Sequence, residues 1–253
     1  MSKRGVLYVA RRGEGPTTIF VHGGLLDHRI FASQFDAFSA HRLCIAPDLP
    51  GFGRSPAMPD PLNPTRLADA LLDELADLEA PWDIVGLSLG GSVAAEMARR
   101  APERVRSLCA IGIGGATANA AAQIAAARAR YDSLDPSVFA AAFATRMLAS
   151  GANPGHFALV ADMAAATARD TVHALYDLLI DFPQSLPRIS ALPCPVLLMS
   201  GDEDGGANAT GMAEIAAERA NIRFVTIPAS GHLATIENAV ATNRALTDFW
   251  GEA

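Results

Sequence analysis

The stretch of this sequence best suited to chemistry is residues 86–90, GLSLG, in which Ser88 has a glycine two residues before it and two after it. An apolar run at 82–85 precedes the stretch and predicts a strand, whereas residues 91–100 favour a helix. Glycine leaves room for a sharp strand-to-helix turn that exposes the serine hydroxyl alone. The N–H groups and positive dipole end of the helix would stabilise a developing oxyanion. The pattern predicts that Ser88 is the nucleophile of an acyl transfer.

A serine hydroxyl needs a base to take its proton and a carboxylate to orient that base. Two later loops can supply these groups, and each follows a predicted strand, so parallel pairing would bring both to the sheet edge that carries Ser88. His232 lies in the loop after the strand predicted at 223–227 and is the candidate base. The loop after the strand predicted at 195–200 offers three carboxylates, those of Asp202, Glu203 and Asp204.

Acyl transfer also needs two N–H donors aimed at the oxyanion. The main chain of Leu89, directly after the nucleophile, would supply one of them. The second should come from the loop at 22–24, HGG, which follows the early strand predicted at 17–21, and we expect Gly24 to donate it. We expect His22 to brace this loop rather than to titrate in catalysis.

Predicted strands and helices alternate from residue 17 to residue 113, which is typical of an α/β fold. The buried strands are predicted at 17–21, 42–46, 82–85, 105–113, 195–200 and 223–227, with an edge strand at 6–10. Their nearly continuous apolar sequences indicate a parallel sheet with helices on both faces. Residues 116–188 are alanine-rich and carry only helix signals. We therefore predict a doubly wound, mostly parallel sheet from 1–115 and 189–253, with a helical insertion at 116–188.

The composition argues against several classes of function. A formal net charge of −7, with Lys3 as the only lysine and scattered arginines, disfavours nucleic-acid binding. No apolar run reaches the ~20 residues that span a bilayer, and the N-terminus lacks the apolar core of a signal peptide. Three distant cysteines without metal-ligand spacing indicate free thiols in a reducing compartment. We expect a cytoplasmic bacterial protein, monomeric or homodimeric, without metal or organic cofactor.

Five sequence pieces occur in the order typical of one known family. They are HGG at 22–24, DLPGFGRS at 48–55, GLSLG at 86–90, GDED at 201–204 and SGH at 230–232. With these pieces the chain resembles the α/β-hydrolase fold family, in its compact bacterial branch that carries a cap. The resemblance implies that the insertion at 116–188 is a helical cap above Ser88.

The resemblance also implies a choice among the three carboxylates. The acid of that family occupies the last position of the GxxD turn, which is Asp204 here, so Asp202 is the second choice and Glu203 the third. Relatives often carry a proline or a bulky residue soon after the acid, whereas this chain has GGA at 205–207. Haloalkane dehalogenases and epoxide hydrolases place an aspartate where Ser88 stands, and hydroxynitrile lyases carry a cap lysine that is missing here.

The cap and the core loops together predict a substrate pocket. Its candidate contact residues share large apolar side chains: Leu25, Phe52, Phe143, Met147, Met163 and Leu233. Few cap residues suit an anionic substrate. The cap does contain arginines, among them Arg128, Arg130, Arg146 and Arg169. We therefore expect a neutral acyl substrate of modest size.

These predictions favour a serine hydrolase that cleaves a largely apolar carboxylic ester or lactone through an acyl-enzyme, with a Ser-His-Asp triad. One alternative is a C–C bond hydrolase or enol-lactonase of aromatic catabolism that uses the same triad. Another is a ligand-sensing or partner-binding homologue that keeps the triad but turns over slowly. The expected partner is a small-molecule ester or lactone, without nucleic acid or membrane.

Overall fold

The computed structural model describes residues 7–59, 61–114, 120–179 and 185–251. Within these ranges, seven strands form one sheet in the order β1-β3-β2-β4-β5-β6-β7. The strands are β1 (Val9–Arg12), β2 (Thr17–Val21), β3 (Leu43–Pro47), β4 (Trp82–Leu87), β5 (Val105–Ile111), β6 (Val196–Gly201) and β7 (Ile222–Ile227). Strand β1 pairs antiparallel to β3, and the other pairs are parallel. The predicted mostly parallel α/β sheet is therefore confirmed.

Helices cover both faces of the sheet, as the apolar strands require. The core helices are α1 (Ala32–Phe38), α2 (Pro64–Glu74), α3 (Leu89–Arg100), α9 (Ala209–Glu218), α10 (Ala234–Glu237) and α11 (Ala239–Trp250). Consecutive residues of one strand pack in different hydrophobic cores. Ile19 packs with α2 and α3, whereas Phe20 packs with α1 and α11. Cys44 and Cys109 are free thiols buried in the second of these cores.

The predicted element bounds hold to within a few residues where local signals are strong. The sequence has a helical stripe of leucines within 67–78, which predicts a helix there. The helix α2 begins earlier, because Asn63 caps it by accepting the N–H of Arg66, and it ends at Glu74. Asp27 is an N-cap residue type that predicts a helix directly after it, through about Phe38. Asp27 does act as a cap, through the N–H of Arg29, but the first element after it is a 3₁₀ turn at His28–Phe31.

In its described residues, the segment between β5 and β6 contains helices joined by loops and no strand. Its helices are α4 (Ala120–Ser133), α5 (Pro136–Met147), α6 (Pro154–Ala166), α7 (Arg169–Leu179) and α8 (Ser185–Ser190). The Asp-Pro pair at 135–136 predicts a turn, and Asp135 caps α5 there by accepting the N–H of Ser137. The glycines and proline of 151–155 predict another, and Asn153 caps α6 there. The turn that the Phe-Pro pair at 182–183 predicts lies outside the described residues. None of the helices described has the length and hydropathy needed to cross a membrane.

Strand direction is what gathers the candidate site. Strands β2, β4, β5, β6 and β7 run parallel, so their carboxyl ends share one edge of the sheet. The loops that leave this edge contain residues 22–24, Ser88, Gly112, 202–204 and 228–232. This is the edge where open α/β sheets bind ligands.

Candidate active site

Ser88 occupies the turn between β4 and α3 in a backbone conformation that non-glycine residues rarely adopt. Its φ is 54° and its ψ is −117°. Positive φ is strained for a residue with a Cβ, and it persists only where the surroundings hold it in place. Here the N–H of Ser88 donates to the carbonyl of Ile111 at 2.7 Å, and its own carbonyl accepts the N–H of Gly91 at 2.9 Å. The turn therefore has the geometry of a nucleophile elbow.

The glycines around Ser88 are required by close backbone approach. A Cβ at Gly86 would lie 2.3 Å from the carbonyl oxygen of Gly90. A Cβ at Gly90 would lie 2.0 Å from the carbonyl oxygen of Val21. Both distances are far inside van der Waals contact with backbone, so no side chain fits at either position. The steric argument made from the sequence thus matches the geometry of the turn.

His232 and Asp204 are joined by a hydrogen bond at the ends of β7 and β6. The imidazole Nδ1 lies 2.8 Å from Oδ2 of Asp204. Asp204 is nearly inaccessible, with 1% of its side chain exposed, whereas 12% of the His232 side chain is exposed. The other carboxylate oxygen accepts the N–H groups of Gly206 at 2.9 Å and Ala207 at 3.1 Å. Burial raises the pKa of Asp204, but the hydrogen bond to His232 and the two N–H groups outweigh it, so the pKa is lowered overall.

The other two candidate carboxylates have different partners. Asp202 is exposed, and its Oδ1 accepts the N–H of Ser230 at 3.0 Å. Glu203 accepts both the N–H and the hydroxyl of Ser150, at 3.2 Å and 3.0 Å. The structure thus brings Asp204 to His232 and uses its two neighbours to hold adjoining loops.

The two predicted oxyanion donors, Gly24 and Leu89, line the same cavity as Ser88. Within the described residues, neither N–H donates a hydrogen bond to the protein. The N–H of Leu89 is unpaired because it opens α3, and the first N–H groups of a helix have no partner inside it. Free N–H groups beside a serine hydroxyl are the arrangement that oxyanion stabilisation needs.

His22 holds the loop that carries Gly24. Its fully buried imidazole bonds through Nδ1 to the carbonyl of Gly23 at 2.7 Å, and its Nε2 accepts the N–H of Leu49 at 2.8 Å. Because one ring nitrogen accepts and the other donates, the ring is neutral in this arrangement. Burial lowers the pKa of His22, which keeps the ring in that state.

A cavity of about 640 Å³ lies above Ser88, between the sheet edge and the helical segment. Four of the six predicted contact residues line it: Leu25, Phe143, Met147 and Leu233. Phe52 and Met163 do not, so their prediction as substrate contacts is corrected. Phe52 is fully buried against the edge of the His22 ring, and Met163 is buried in the core with Val160. Side chains that the prediction left out include Ile124, Tyr131, Val172 and Leu175.

The sequence matches one protein-family model over most of its length. The model described as "Alpha/beta hydrolase family" matches residues 18–245. The chain belongs to the alpha/beta hydrolase family. The fold predicted from the sequence resemblance is therefore confirmed for this family member.

Two curated relatives of this hydrolase share one name. The "Pimeloyl-[acyl-carrier protein] methyl ester esterase" of Chromobacterium violaceum is 40% identical over 108 residues, which cover 42% of this chain and 40% of the relative. The esterase of the same name from Shewanella woodyi is 30% identical over 187 residues, or 74% of this chain and 67% of that protein. The first of these alignments thus spans well under half of the relative's length.

A solved structure shows the same fold over nearly the whole chain. The thermophilic esterase from Thermogutta terrifontis, in its malate-bound form, superposes with a TM-score of 0.87 at 24% identity. The match covers 97% of this hydrolase and 93% of the esterase. At this identity the likeness shows the shared fold alone.

Gly112 is a residue of the site that the sequence analysis missed. It follows β5 with a φ of +64°, and a Cβ there would lie 2.9 Å from Cε1 of His232 and 3.4 Å from Oδ2 of Asp204. The hydrolase therefore uses this glycine to let the imidazole and the carboxylate approach the end of β5. The strand predicted at 105–113 ran through it, and the signal that could have found it is a glycine directly after the apolar residues 108–111.

Glu237 is a second residue that was missed. Its Oε2 accepts the N–H of Leu233 at 3.1 Å, and its Oε1 accepts the N–H of Ala149 at 2.6 Å. It therefore joins the loop that carries His232 to the chain just after α5. A second hydrogen bond joins the same two segments: the main-chain N–H of His232 donates to the carbonyl of Met147 at 2.8 Å. No sequence pattern marks this carboxylate, since its partners lie on a distant segment.

Among the described residues, one group has donor atoms close enough together to hold a metal ion. It consists of Asp27, His28 and Asp48, whose ligand atoms lie within 4.8 Å of one another. Asp27 is paired with the guanidinium of Arg29 at 2.7 Å. Asp48 accepts from His28 Nδ1 at 2.8 Å and from the N–H of Arg54 at 2.9 Å. These contacts explain the cluster without a metal ion: it joins two loops of the hydrolase.

Proposed function

We propose that this hydrolase cleaves carboxylic esters or lactones through an acyl-enzyme, with Ser88 as nucleophile, His232 as base and Asp204 as the orienting acid. The observation that carries the proposal is the 2.8 Å contact between His232 Nδ1 and Asp204 Oδ2, in the wall of the cavity that Ser88 lines. A serine on a strained elbow that shares a cavity with an imidazole held by a buried carboxylate is suited to nucleophilic catalysis.

The proposed steps follow from the atoms available. Because Nδ1 of His232 is held by Asp204, Nε2 is the nitrogen left to take the proton from the Ser88 hydroxyl. The serine oxygen attacks the carbonyl carbon, and the N–H groups of Gly24 and Leu89 stabilise the negative oxygen that forms. Protonated His232 then gives its proton to the leaving alkoxide, and the acyl-enzyme remains. Water, deprotonated by His232, attacks the acyl carbon. The bond from that carbon to the Ser88 oxygen then breaks, His232 returns the proton to this oxygen, and the acid is released.

The ionisation of Asp204 supports this assignment. Its lowered pKa keeps the carboxylate charged at neutral pH, where it fixes the imidazole tautomer and stabilises the imidazolium of each step. An exposed carboxylate such as Asp202 would do this less well, because water screens its charge.

We also propose that residues 116–188 act as a cap over the site. Residues of α4, α5 and α7 line the cavity together with Ser88, among them Ile124, Phe143 and Leu175. The side chain of Leu175 lies so close to Gly24 that a Cβ at that glycine would be 2.8 Å from it. These apolar walls suit an acyl chain, and the esterase name shared by the curated relatives supports an ester as the bond that is cleaved.

Replacing Ser88 with Ala tests the assignment. Turnover of methyl and p-nitrophenyl acyl esters should fall at least about a thousandfold while the circular dichroism spectrum stays unchanged. Ser92→Ala is the matched control on the helix that follows Ser88, since its hydroxyl bonds to Ser185 at 2.6 Å instead of lining the cavity. Ester turnover that survives in Ser88→Ala, at a rate near that of the wild type, would refute the proposal.

Two further measurements separate the alternatives that use the same residues. A panel of esters, lactones and a vinylogous diketone, ranked by kcat/KM, distinguishes ester hydrolysis from C–C bond cleavage. A fluorophosphonate probe that labels Ser88 in a protein without multiple turnover on any ester of the panel would favour the slow ligand-sensing alternative.

A further inference from the structure

Two arginines of the helical segment point to a charged end of the substrate. Arg130 on α4 and Arg146 on α5 both line the cavity above Ser88, and both are exposed to solvent. Within the described residues, neither guanidinium forms an ion pair or donates a side-chain hydrogen bond. With respect to the described residues, both cations are therefore available to a ligand that enters the cavity.

The neighbouring arginines of the same segment show the contrast. Arg128 Nη1 is paired with Asp177 at 2.6 Å, and Arg169 Nη2 is paired with Asp132 at 2.7 Å. Neither of these two arginines lines the cavity. Within the described residues, the arginines of α4, α5 and α7 thus divide into a paired set outside the cavity and an unpaired set that faces it.

The charge of the cavity wall has the opposite sign to that of the whole protein. Apart from Arg130 and Arg146, the only charged lining residue among those described is Asp204, and its carboxylate is already bonded to His232 and to two main-chain N–H groups. The whole chain carries a formal net charge of −7. A concave apolar site with unpaired cations focuses a positive potential, which attracts anions.

The location of Arg146 links this charge to the reaction centre. It directly precedes Met147, whose carbonyl holds the main chain of His232. It also lies near Tyr176, another lining residue: burial raises the pKa of this phenol, and the charge of Arg146 opposes the rise. An anion bound by Arg146 would therefore lie within the cavity that Ser88 shares.

We propose that the preferred substrates are esters with a second, anionic group, a carboxylate, separated from the reacting ester by an apolar chain. This inference rests on the proposed ester hydrolysis at Ser88. The apolar wall would contact the chain, and Arg130 and Arg146 would bind the distal carboxylate, since guanidinium matches a carboxylate in charge and shape. The expectation of a neutral substrate, made from the sequence, is replaced by this proposal.

The test compares two substrates that differ only in charge. Monomethyl adipate carries a distal carboxylate, and methyl adipamate carries an uncharged carboxamide of nearly the same shape. For the wild-type protein we expect kcat/KM to be about tenfold higher for the acid, mainly through KM, because the distal group lies away from the bond that is cleaved. The preference should shrink when NaCl is raised from about 20 mM to about 500 mM, because salt screens exposed charges.

The double variant Arg130→Gln/Arg146→Gln should remove the preference for the acid. We expect its kcat/KM for methyl adipamate to stay within about twofold of the wild type and its value for the acid to fall about tenfold. Arg128→Gln is the matched control, because it removes one positive charge from the same helix outside the cavity. It should keep the preference for the acid.

Equal kcat/KM of the wild type for acid and amide would overturn the proposal, as would a preference that persists in the double variant or disappears equally in Arg128→Gln. These outcomes are distinct from a failure of the proposed function. If Ser88→Ala abolishes hydrolysis of the ester bond of methyl adipamate but the wild type shows no charge preference, only the anionic subsite is refuted. If Ser88→Ala still turns over both substrates, ester hydrolysis at Ser88 is itself refuted.

Discussion

The main-chain N–H of His232 donates to the carbonyl of Met147 at 2.8 Å, so the end of α5 holds the loop that carries the candidate base. Gly231 permits the contact, because a Cβ there would lie 2.6 Å from the N of Ala149. The position of the imidazole therefore depends on the helical segment as well as on the sheet.

Glu237→Gln should lower kcat about tenfold and leave KM within about twofold, because a displaced imidazole affects the chemical step more than substrate binding. Both oxygens of Glu237 accept N–H groups, and glutamine would turn an NH₂ toward one of these donors. Glu203→Gln is the control, since its contact with Ser150 is exposed. Steady-state kinetics with a methyl ester give the comparison, and an equal loss in both variants would contradict a positioning role for Glu237.

Asp204→Asn should reduce kcat about a thousandfold or more, because an amide no longer selects the tautomer or stabilises the imidazolium. Asp202→Asn should change kcat less than about threefold, since loss of an exposed hydrogen bond to Ser230 affects mainly local stability. The two variants, assayed side by side, identify the acid. A larger loss of kcat in Asp202→Asn than in Asp204→Asn would reverse the assignment.

Gly90→Ala should destabilise the fold by about 3 kcal/mol or more, because its Cβ would meet the backbone carbonyl of Val21 at 2.0 Å. Gly151→Ala is the matched control, since nothing lies within 4 Å of a Cβ at that position. Urea unfolding followed by circular dichroism measures both free energies. Equal stability of the two variants would show that the elbow tolerates a side chain.

The buried His22 should make stability depend on pH in a defined window. Burial lowers its pKa in the folded protein and outweighs the hydrogen bond to Gly23 and the charges of Asp48 and Asp27, which raise it. Between that lowered pKa and the ordinary value of about 6.5, the unfolded chain binds more protons than the folded chain. The free energy of unfolding should therefore fall as pH drops below about 6.5, by at most about 1.4 kcal/mol per pH unit from this group.

Nitrogen NMR of the His22 ring checks this directly. The ring should keep its neutral pattern, with one protonated nitrogen, at pH values well below about 6.5 while the protein remains folded. A titration of the folded-state signal centred near that value would contradict the effect of burial.

The elbow and the strand ends could be predicted because their signals are local. Glycines beside Ser88 and apolar runs before each loop are visible in the sequence, and the parallel sheet brings those loops to one edge. The acid was harder, because three carboxylates share one loop and only a contact in space, between His232 and Asp204, separates them. Gly112 was missed for the same reason, since its role depends on an imidazole that arrives from β7.

The pocket was predicted less well, because an apolar side chain looks the same in a sequence whether it faces a core or a cavity. Phe52 satisfies the pattern and packs against His22, whereas Phe143 satisfies it and faces the cavity. The arginines pose a similar problem. Whether Arg128 or Arg130 is free depends on carboxylates of α7, such as Asp177, which the sequence does not place opposite either one.

The Met147 carbonyl also limits how the parts of this protein can be recombined. A chimera that takes its helices from another family member would exchange substrate walls, which is the usual aim of such a swap. If the exchanged piece included residues 147–150, the main-chain groups that hold His232, Glu237 and Glu203 would come from the other chain, and their positions would depend on its backbone. An exchange limited to residues before Met147 would keep the histidine loop anchored. The turn at 147–150 should therefore stay with the sheet when helices are exchanged.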